Sequence, residues 1–251
     1  VWTDFTNKDE LDKFPKGSIP QEIVVTTADK VKYSHVLELL VLARIPTLFV
    51  GPTGTGKTKY MQTVLNDKLP ADAWRIIEVG FSARTHCNYV QEVVDNKLSK
   101  IRKGIFGPGF GKQAAIFVDD LNMPKVEEYG AQPPVEILRQ AIDQGGWYDL
   151  KDNTHPFKKL VDVNIVAAMG PPGGGRAVIT PRFQRHFNLI SFVDLDEAQL
   201  ETIFRSILKW HFREGKYASE VANLEQKVVK ATAKVFETIQ ADLRPTPAKT
   251  H

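Results

Sequence analysis

The stretch that decides the fold is "GPTGTGKT" at residues 51–58, which fits the pattern G-x-x-x-x-G-K-[ST] at every fixed position. In this pattern the glycines let backbone N–H groups turn inward around phosphate oxygens. The lysine reaches the terminal phosphates, and the hydroxyl after it binds magnesium. The apolar strand "TLFV" precedes the stretch and a predicted helix follows it from about Lys57, as the mechanism requires. The predicted nucleotide-binding residues are Gly51, Pro52, Thr53, Gly54, Thr55, Gly56, Lys57 and Thr58.

A second buried strand ends in acids, in "AIFVDDLNMP" at residues 115–124. An aspartate at a strand end is often a turn or helix cap. Beside a complete phosphate loop, however, Asp119 is predicted to bind magnesium opposite Thr58. A GTPase would carry N-K-x-D after the loop, whereas "NKDE" at Asn7 precedes it, so ATP is favoured over GTP. The predicted cofactors are ATP or ADP with Mg²⁺.

Composition limits the remaining function classes. The chain of 251 residues is 42% hydrophobic with a net charge of +3, which is too small to indicate a nucleic acid or a membrane as partner. The single cysteine, Cys87, excludes an internal disulfide and fits a reducing, cytoplasmic compartment. The longest apolar run, at residues 36–52, is interrupted by charged residues and a proline, so no membrane span is predicted.

Strands and helices alternate along most of the chain. The segments "TLFV", "WRIIEVGF", "AAIFV", "VDVNIVAAM" and "FNLISFV" are typical of buried strands, and helical patterns lie between them. This alternation predicts an α/β fold with a parallel sheet covered on both faces, whereas "RKGIFGPGFGKQ" predicts a hairpin or loop. The pattern becomes all-helical near residue 195. We therefore expect three regions: a linker at 1–30, an α/β subdomain at 31–194 and a helical subdomain at 195–251.

Several longer stretches resemble one family. "LFVGPTGTGKT", "GFSART", "IFVDDLNMPKVEEYGAQPPVEILRQ", "GWYDLKD", "AAMGPPGGGR" and "TPRFQRHFN" are similar to the third AAA+ module of the axonemal dynein heavy chain motor ring. The resemblance implies an AAA+ P-loop NTPase fold, with a five-stranded parallel sheet flanked by helices and the start of a helical lid. It also implies six linked modules in a ring. The lid and its sensor arginine are expected to continue beyond His251.

The resemblance assigns roles residue by residue. Residues 51–58 match the Walker A loop and Asp119 matches the Walker B magnesium ligand. Asp120 falls where hydrolytic modules carry a catalytic glutamate. Gly170 falls where many modules carry a polar sensor side chain, and Asn164 is too early in its strand to replace it. In the stretch before the phosphate loop, Val24 and Val25 match the adenine pocket.

The two arginines of "PRFQR" match the arginine fingers of AAA+ proteins. A finger acts on the nucleotide of the neighbouring module, so Arg182 and Arg185 are expected to act on another site than their own. The alternative is that they only cap local acids such as Asp194 or Asp196.

The presence of an aspartate at position 120, where hydrolytic modules carry a glutamate, bears on hydrolysis. The carboxylate of the shorter aspartate would sit roughly 1 Å farther from the attacking water, and such a misplacement can lower a rate about a hundredfold. We therefore expect a regulatory module with slow or absent hydrolysis, which gates the main ATPase and microtubule release. Its partners would be neighbouring modules and, through the motor, axonemal microtubules of cilia and flagella. Two alternatives stay open: a competent ATPase in which Asp120 acts through a relayed water, and a structural ring module with an empty pocket.

Overall fold

The computed structural model describes residues 23–243 together with Phe14 and Ile19. Most of the predicted linker at 1–30 therefore lies outside the described residues, and so does all of the "NKDE" stretch. The chain forms two compact units, one at residues 34–193 and one from the segments that flank it, of which 23–33 and 194–243 are described. The unit that contains the C-terminal helices also includes the described residues 23–33. The three predicted regions stay a prediction.

The described elements follow one another in this order: α1 (Ala28–Leu42), β1 (Thr47–Val50), α2 (Lys57–Thr63) with a π-helical turn (Val64–Lys68), β2 (Trp74–Gly80), α3 (Cys87–Asp95), β3 (Ser99–Arg102), β4 (Ile105–Gly107), β5 (Gln113–Asp119), α4 (Pro133–Gln144), β6 (Gly146–Tyr148), β7 (Phe157–Leu160), β8 (Val163–Met169), α5 (Pro181–Gln184), β9 (Asn188–Ser191), α6 (Glu197–Glu214), α7 (Ser219–Ala222) and α8 (Glu225–Asp242).

Five strands form a parallel sheet in the order β2-β5-β8-β1-β9. The central strands β5 and β8 are apolar almost throughout because both of their faces are covered, and their interior residues are buried. In register, Ile116 of β5 lies between Ile77 of β2 and Ile165 of β8. The predicted α/β fold, a five-stranded parallel sheet flanked by helices, is confirmed.

The strand order determines where a ligand site can form. β8 lies between β1 and β5, so the carboxyl ends of these three strands meet at one edge of the sheet. In open α/β sheets ligands bind at that edge, near the point where the strand order reverses. The residues that follow Val50, Asp119 and Met169 are thereby brought together.

A second sheet, of four strands in the order β3-β4-β7-β6, was not predicted as a unit. The stretch predicted as a hairpin or loop, residues 102–113, contains the second part of a hairpin formed by β3 and β4, followed by a loop at 108–112. Gly104 in the turn of the hairpin has a φ of 73°. β6 carries Trp147, which is fully buried, and Tyr148, which is 47% exposed. Trp147 is therefore a core residue, which leaves Tyr148 as the exposed aromatic of this strand.

The buried face of α1 is only one of its apolar sides. Its buried residues are Ser34, Leu37 and Val41, whereas the apolar residues Val36 and Leu39 are 41% and 53% exposed. Apolar residues lie around much of this helix. Periodicity therefore predicts the helix without indicating which stripe packs inward.

The second unit is helical in its C-terminal part. α6 opens with a capping box, in which Asp196 accepts a hydrogen bond from the Gln199 backbone at 2.7 Å. Gln199 donates to Asp29 of α1 at 2.6 Å, and Arg205 of α6 pairs with Glu225 of α8 at 3.1 Å. None of the helices within the described residues has both the length and the apolar character that crossing a membrane requires.

Candidate functional site

A cleft of about 320 Å³ opens at the carboxyl edge of the parallel sheet. It is lined by residues from three places that are far apart in sequence: the phosphate loop and α2, the end of β5, and the end of β8 with the loop after it. The lining residues are Thr53, Gly54, Gly56, Lys57, Thr58, Lys59, Asp119, Asp120, Met169, Gly170 and Arg176. The structure thus places the predicted phosphate loop beside the predicted acids.

Glycines shape the phosphate loop for two different reasons. Gly54 and Gly56 have φ values of 86° and 83°, which residues with a side chain rarely adopt. The space beside Gly54 is open, so its backbone can approach a phosphate. At Gly51 a Cβ would lie 2.6 Å from Cβ of Phe192, so glycine is needed there for close packing.

Lys57 is buried at the base of this loop, with 9% of its surface exposed. Its Nζ donates to the Gly51 carbonyl oxygen at 2.7 Å and also to the Pro52 carbonyl. Burial lowers the pKa of Lys57, as does the nearby charge of Arg176. A bound phosphate would replace backbone carbonyls with charged oxygens, which stabilise the ammonium form more strongly.

The two predicted magnesium ligands are in contact. Oγ1 of Thr58 donates to Oδ1 of Asp119 at 3.1 Å. Burial raises the pKa of Asp119, and the hydrogen bond from Thr58 opposes that rise. A hydroxyl and a carboxylate are oxygen ligands of the kind Mg²⁺ prefers. Mg²⁺ in nucleotide sites completes its shell with water and phosphate, so these two residues fit the ion.

Asp120 lines the same cleft, and its backbone is unusual. Its φ of 52° lies in the left-handed region, where aspartate is tolerated better than most side chains. Its N–H donates to Oδ1 of Asp119 at 3.0 Å, and its carbonyl oxygen accepts from the Met123 N–H at 2.9 Å. A tight turn thus fixes the residue that was expected at the position of a catalytic glutamate. Its catalytic role stays a prediction.

Gly170 directly follows β8, between the phosphate loop and the acids. A Cβ there would lie 2.7 Å from Nε of Arg176, so the arginine side chain fills the space above the glycine. Asn164 is the second residue of β8 and lies at its start, as expected. Arg176, the last residue of the stretch "AAMGPPGGGR", is a residue of the cleft that the sequence patterns did not predict. The signal was a cationic residue directly after three glycines, beside a predicted phosphate site.

Arg182 and Arg185 do not line this cleft. Arg185 forms an ion pair with Asp143 of α4 at 3.2 Å, while 64% of its side chain remains exposed. The alternative, that the arginines only pair with acids of their own chain, gains support for Arg185 from this ion pair, although the acid is Asp143 and neither of the two named as examples. The finger assignment for both arginines stays a prediction.

The predicted adenine-pocket residues precede α1. Val25 is buried and Val24 is half-buried, and the Val24 carbonyl accepts a hydrogen bond from Lys30 Nζ at 3.3 Å. Both valines belong to the helical unit, whereas the cleft belongs to the α/β unit. Their role at an adenine ring stays a prediction.

Comparison with known proteins identifies the family. The profile of the family described as P-loop containing dynein motor region matches residues 12–195. "Dynein axonemal heavy chain 1" of human is 48% identical over 239 residues, which are 91% of this chain and 6% of that protein. "Dynein axonemal heavy chain 12" of rat is 42% identical over 250 residues, which are 100% of this chain and 8% of that protein.

A third relative, human "Dynein axonemal heavy chain 3", is 44% identical over 251 residues, which are 100% of this chain and 6% of that protein. The chain thus spans less than a tenth of the length of these relatives. The family profile covers most of the chain, including the cleft and all five strands of the parallel sheet. The chain therefore belongs to the family of P-loop containing dynein motor regions and is homologous to axonemal dynein heavy chains.

Proposed function

We propose that this chain is a nucleotide-binding AAA+ module that holds ATP or ADP with Mg²⁺ at residues 51–58. The observation that carries the proposal is the 3.1 Å hydrogen bond between Thr58 and Asp119 within the cleft beneath the phosphate loop. It places a hydroxyl and a carboxylate where magnesium is held between the loop and the adjacent strand end in ATP-binding proteins. Bound Mg²⁺ would neutralise phosphate charge at this position.

The proposed module is the third of the motor ring in an axonemal dynein heavy chain. The assignment to the third module rests on the long stretches around "VDDLNMPKVEEYGAQPP" and "AAMGPPGGGR". The assignment to an axonemal heavy chain is supported by identity to such chains. Neighbouring AAA+ modules of the same chain would be its direct partners, and microtubules its partners through the motor. The proposed location is the axoneme of cilia or flagella.

The proposed activity is nucleotide holding with slow or absent hydrolysis. Asp120 is shorter than the glutamate that positions water, and Gly170 offers no sensor side chain. Misplacing the base by roughly 1 Å lowers a rate about a hundredfold. The nucleotide state would then bias the conformation of the ring and regulate the main ATPase module.

A second candidate function is a competent ATPase. The observation that favours it is that Asp120 lines the cleft beside Asp119, so that its carboxylate is available to act as a general base. In that case a water relay would bridge the gap left by the shorter side chain. Single-turnover phosphate release, measured on this module within a longer chain that includes its neighbouring module, distinguishes the two candidates, because an arginine finger can then be supplied.

The proposed role of Arg182 and Arg185 is to reach the nucleotide of the preceding module. Their position outside their own cleft and the large exposed fraction of Arg185 support it. In a longer chain that includes the preceding module, Arg182→Ala with Arg185→Ala should leave nucleotide affinity at Lys57 unchanged and alter that of the preceding site. Loss of affinity only at the module's own site would contradict this role.

Titration of a fluorescent ATP analogue tests the nucleotide site. Lys57→Ala should weaken binding by at least about 100-fold, because the charged donor at the base of the loop is lost. Lys100→Ala, on the exposed strand β3, is the matched control and should bind like the unaltered chain. Absence of binding by the unaltered chain, or equal affinity of both variants, would overturn the proposal and favour a structural module with an empty pocket.

A further inference from the structure

The loop that follows β8 carries an arginine back into the cleft. Its sequence from Gly170 is "GPPGGGR", and its three consecutive glycines have φ values of 116°, 56° and 86°. Residues with side chains rarely adopt such a run, so the glycines allow the chain to reverse tightly. Gly173 and Arg176 exchange backbone hydrogen bonds of 3.0 and 3.1 Å across this reversal. As a result, Arg176 lies above Gly170 in the cleft.

Asn122 holds both ends of this loop. The residue is fully buried after β5, and its Nδ2 donates to the Gly170 carbonyl oxygen at 2.8 Å. The backbone carbonyl oxygen of Asn122 accepts a hydrogen bond from the Ala177 N–H at 2.9 Å. The turn that carries Asp119 and Asp120 is therefore joined to the loop that carries Arg176, and the position of the arginine is fixed relative to the acids.

The Arg176 side chain occupies the place where a sensor side chain would begin. A Cβ on Gly170 would lie 2.7 Å from its Nε and 2.8 Å from its Cδ. Arg176 lines the cleft together with Lys57 and Thr58. A larger residue at 170 and this arginine conformation exclude each other, so the glycine makes room for the arginine.

The guanidinium also has a donor that the described residues leave unused. Nε of Arg176 is shielded from solvent and has no hydrogen-bond partner among them. A buried donor without a partner is rare in folded proteins and is costly unless something fills the position. The positive charge of Arg176 also contributes to the lowered pKa of Lys57. Both cations line the proposed phosphate site. A planar guanidinium binds phosphate oxygens through paired, charge-assisted hydrogen bonds.

We propose that Arg176 binds the terminal phosphate of a nucleoside triphosphate in its own module, in place of the missing side chain at Gly170, and that it lets the site distinguish triphosphate from diphosphate. The inference rests on the proposed nucleotide site. It differs from the assignment of Arg182 and Arg185, which would act on a neighbouring module. Asn122 is the positioning residue that holds the loop.

Binding of a non-hydrolysable ATP analogue and of ADP, each with Mg²⁺, tests the inference by calorimetry. Arg176→Gln should weaken the triphosphate about 10-fold and leave ADP affinity within about 3-fold, since a charged hydrogen bond is lost only at the terminal phosphate. Retained ADP affinity also shows that the variant is folded. Arg176→Lys should restore part of the triphosphate affinity, because the charge returns without the paired geometry.

Arg102→Gln, on the exposed strand β3, is the matched arginine control and should change neither affinity. Unchanged affinity for both nucleotides in Arg176→Gln, or equal losses for both, would overturn the inference while leaving the nucleotide site intact. If the unaltered chain binds neither nucleotide, the proposed function itself fails. The two failures are therefore distinguishable.

Discussion

The two halves of the cleft differ in how closely they follow the pattern of a hydrolytic site. The phosphate-holding half, residues 51–58 with Asp119, carries every residue of its motif, and Thr58 contacts Asp119 directly. The water-positioning half, Asp120 and Gly170, carries a shortened carboxylate and no side chain. Under the proposed function, the difference teaches that binding and hydrolysis would depend on separate residues of one cleft, so that a module could keep the first while the second weakens.

After Lys57→Ala, the largest expected effect is on the magnesium part of the phosphate-holding half. Thr58→Ala removes one of the two predicted ligands and should lower affinity for the ATP analogue about 10–100-fold with Mg²⁺ present. In EDTA its affinity should equal that of the unaltered chain, since no ion is there to lose. Thr63→Ala on the same helix is the control, because the Thr63 hydroxyl bonds only the Lys59 carbonyl among the described residues. Full affinity of Thr58→Ala with Mg²⁺ would remove Thr58 from the site.

The next largest effect is expected on stability, at the close packing that supports the phosphate-holding half. Gly51→Ala would place a methyl group 2.6 Å from Cβ of Phe192 and 2.8 Å from its carbonyl oxygen. Such overpacking should lower the free energy of unfolding by about 1–3 kcal/mol in urea denaturation. Gly80→Ala, where no atom lies within 4 Å of the new methyl group, is the control. Equal stability of both variants would show that the loop can shift at residue 51 to accommodate the added methyl group.

A smaller effect is expected in how the free energy of unfolding depends on pH through Asp119 of the phosphate-holding half. Burial raises the pKa of Asp119, so the folded chain binds this proton more tightly than the unfolded chain does. The Asp119 carboxyl therefore makes folding more favourable at low pH than at pH 7. This stability is lost as the pH rises from the pKa of Asp119 in the unfolded chain to its higher pKa in the folded chain. Without nucleotide, Asp119→Asn should raise the free energy of unfolding at pH 7.

The gain of Asp119→Asn should shrink at the lowest pH at which both proteins remain folded. Urea denaturation at both pH values measures it, and Asp72→Asn, at an exposed loop position, is the control. A gain that is equal at both pH values, or a loss at pH 7, would contradict the proposed effect of burial.

The smallest effect is expected in the water-positioning half. Asp120→Asn should change phosphate release less than about 2-fold, because a base displaced by roughly 1 Å contributes little. If Asp120 instead acts as a base through a relayed water, the same change should lower release by about two orders of magnitude. Nucleotide affinity, measured in parallel, separates an effect on chemistry from an effect on binding.

The sequence predicted the five parallel strands and the phosphate loop because both rest on local patterns. A run such as "AAIFVDD" predicts a buried strand ending in acids, and the motif at residues 51–58 fixes its own geometry. The contact of Thr58 with Asp119 followed from these two elements, since parallel strands of such a sheet present their carboxyl ends at one edge.

The features that the sequence did not predict depend on contacts between distant residues. The second sheet pairs β4 with β7, more than fifty residues apart along the chain. Arg176 enters the cleft because three glycines reverse the loop and Asn122 holds it, and neither has a periodic signal. The partner of Arg185 is Asp143 rather than an acid nearby in sequence, because α4 and α5 lie against each other.

The most direct test of nucleotide holding with slow hydrolysis is a single-turnover experiment on a longer chain that includes the neighbouring module. An arginine finger can then be supplied, and the phosphate-loop lysine of the neighbour is replaced by alanine so that only this site binds ATP. ATP labelled at the terminal phosphate is bound with Mg²⁺, free nucleotide is removed, and bound nucleotide and released phosphate are followed together. The account predicts that the chain retains nucleotide while phosphate release stays far below about 1 s⁻¹, the lower end of ordinary enzyme turnover. Retained nucleotide with release near about 1 s⁻¹ would contradict it and establish the module as a working ATPase.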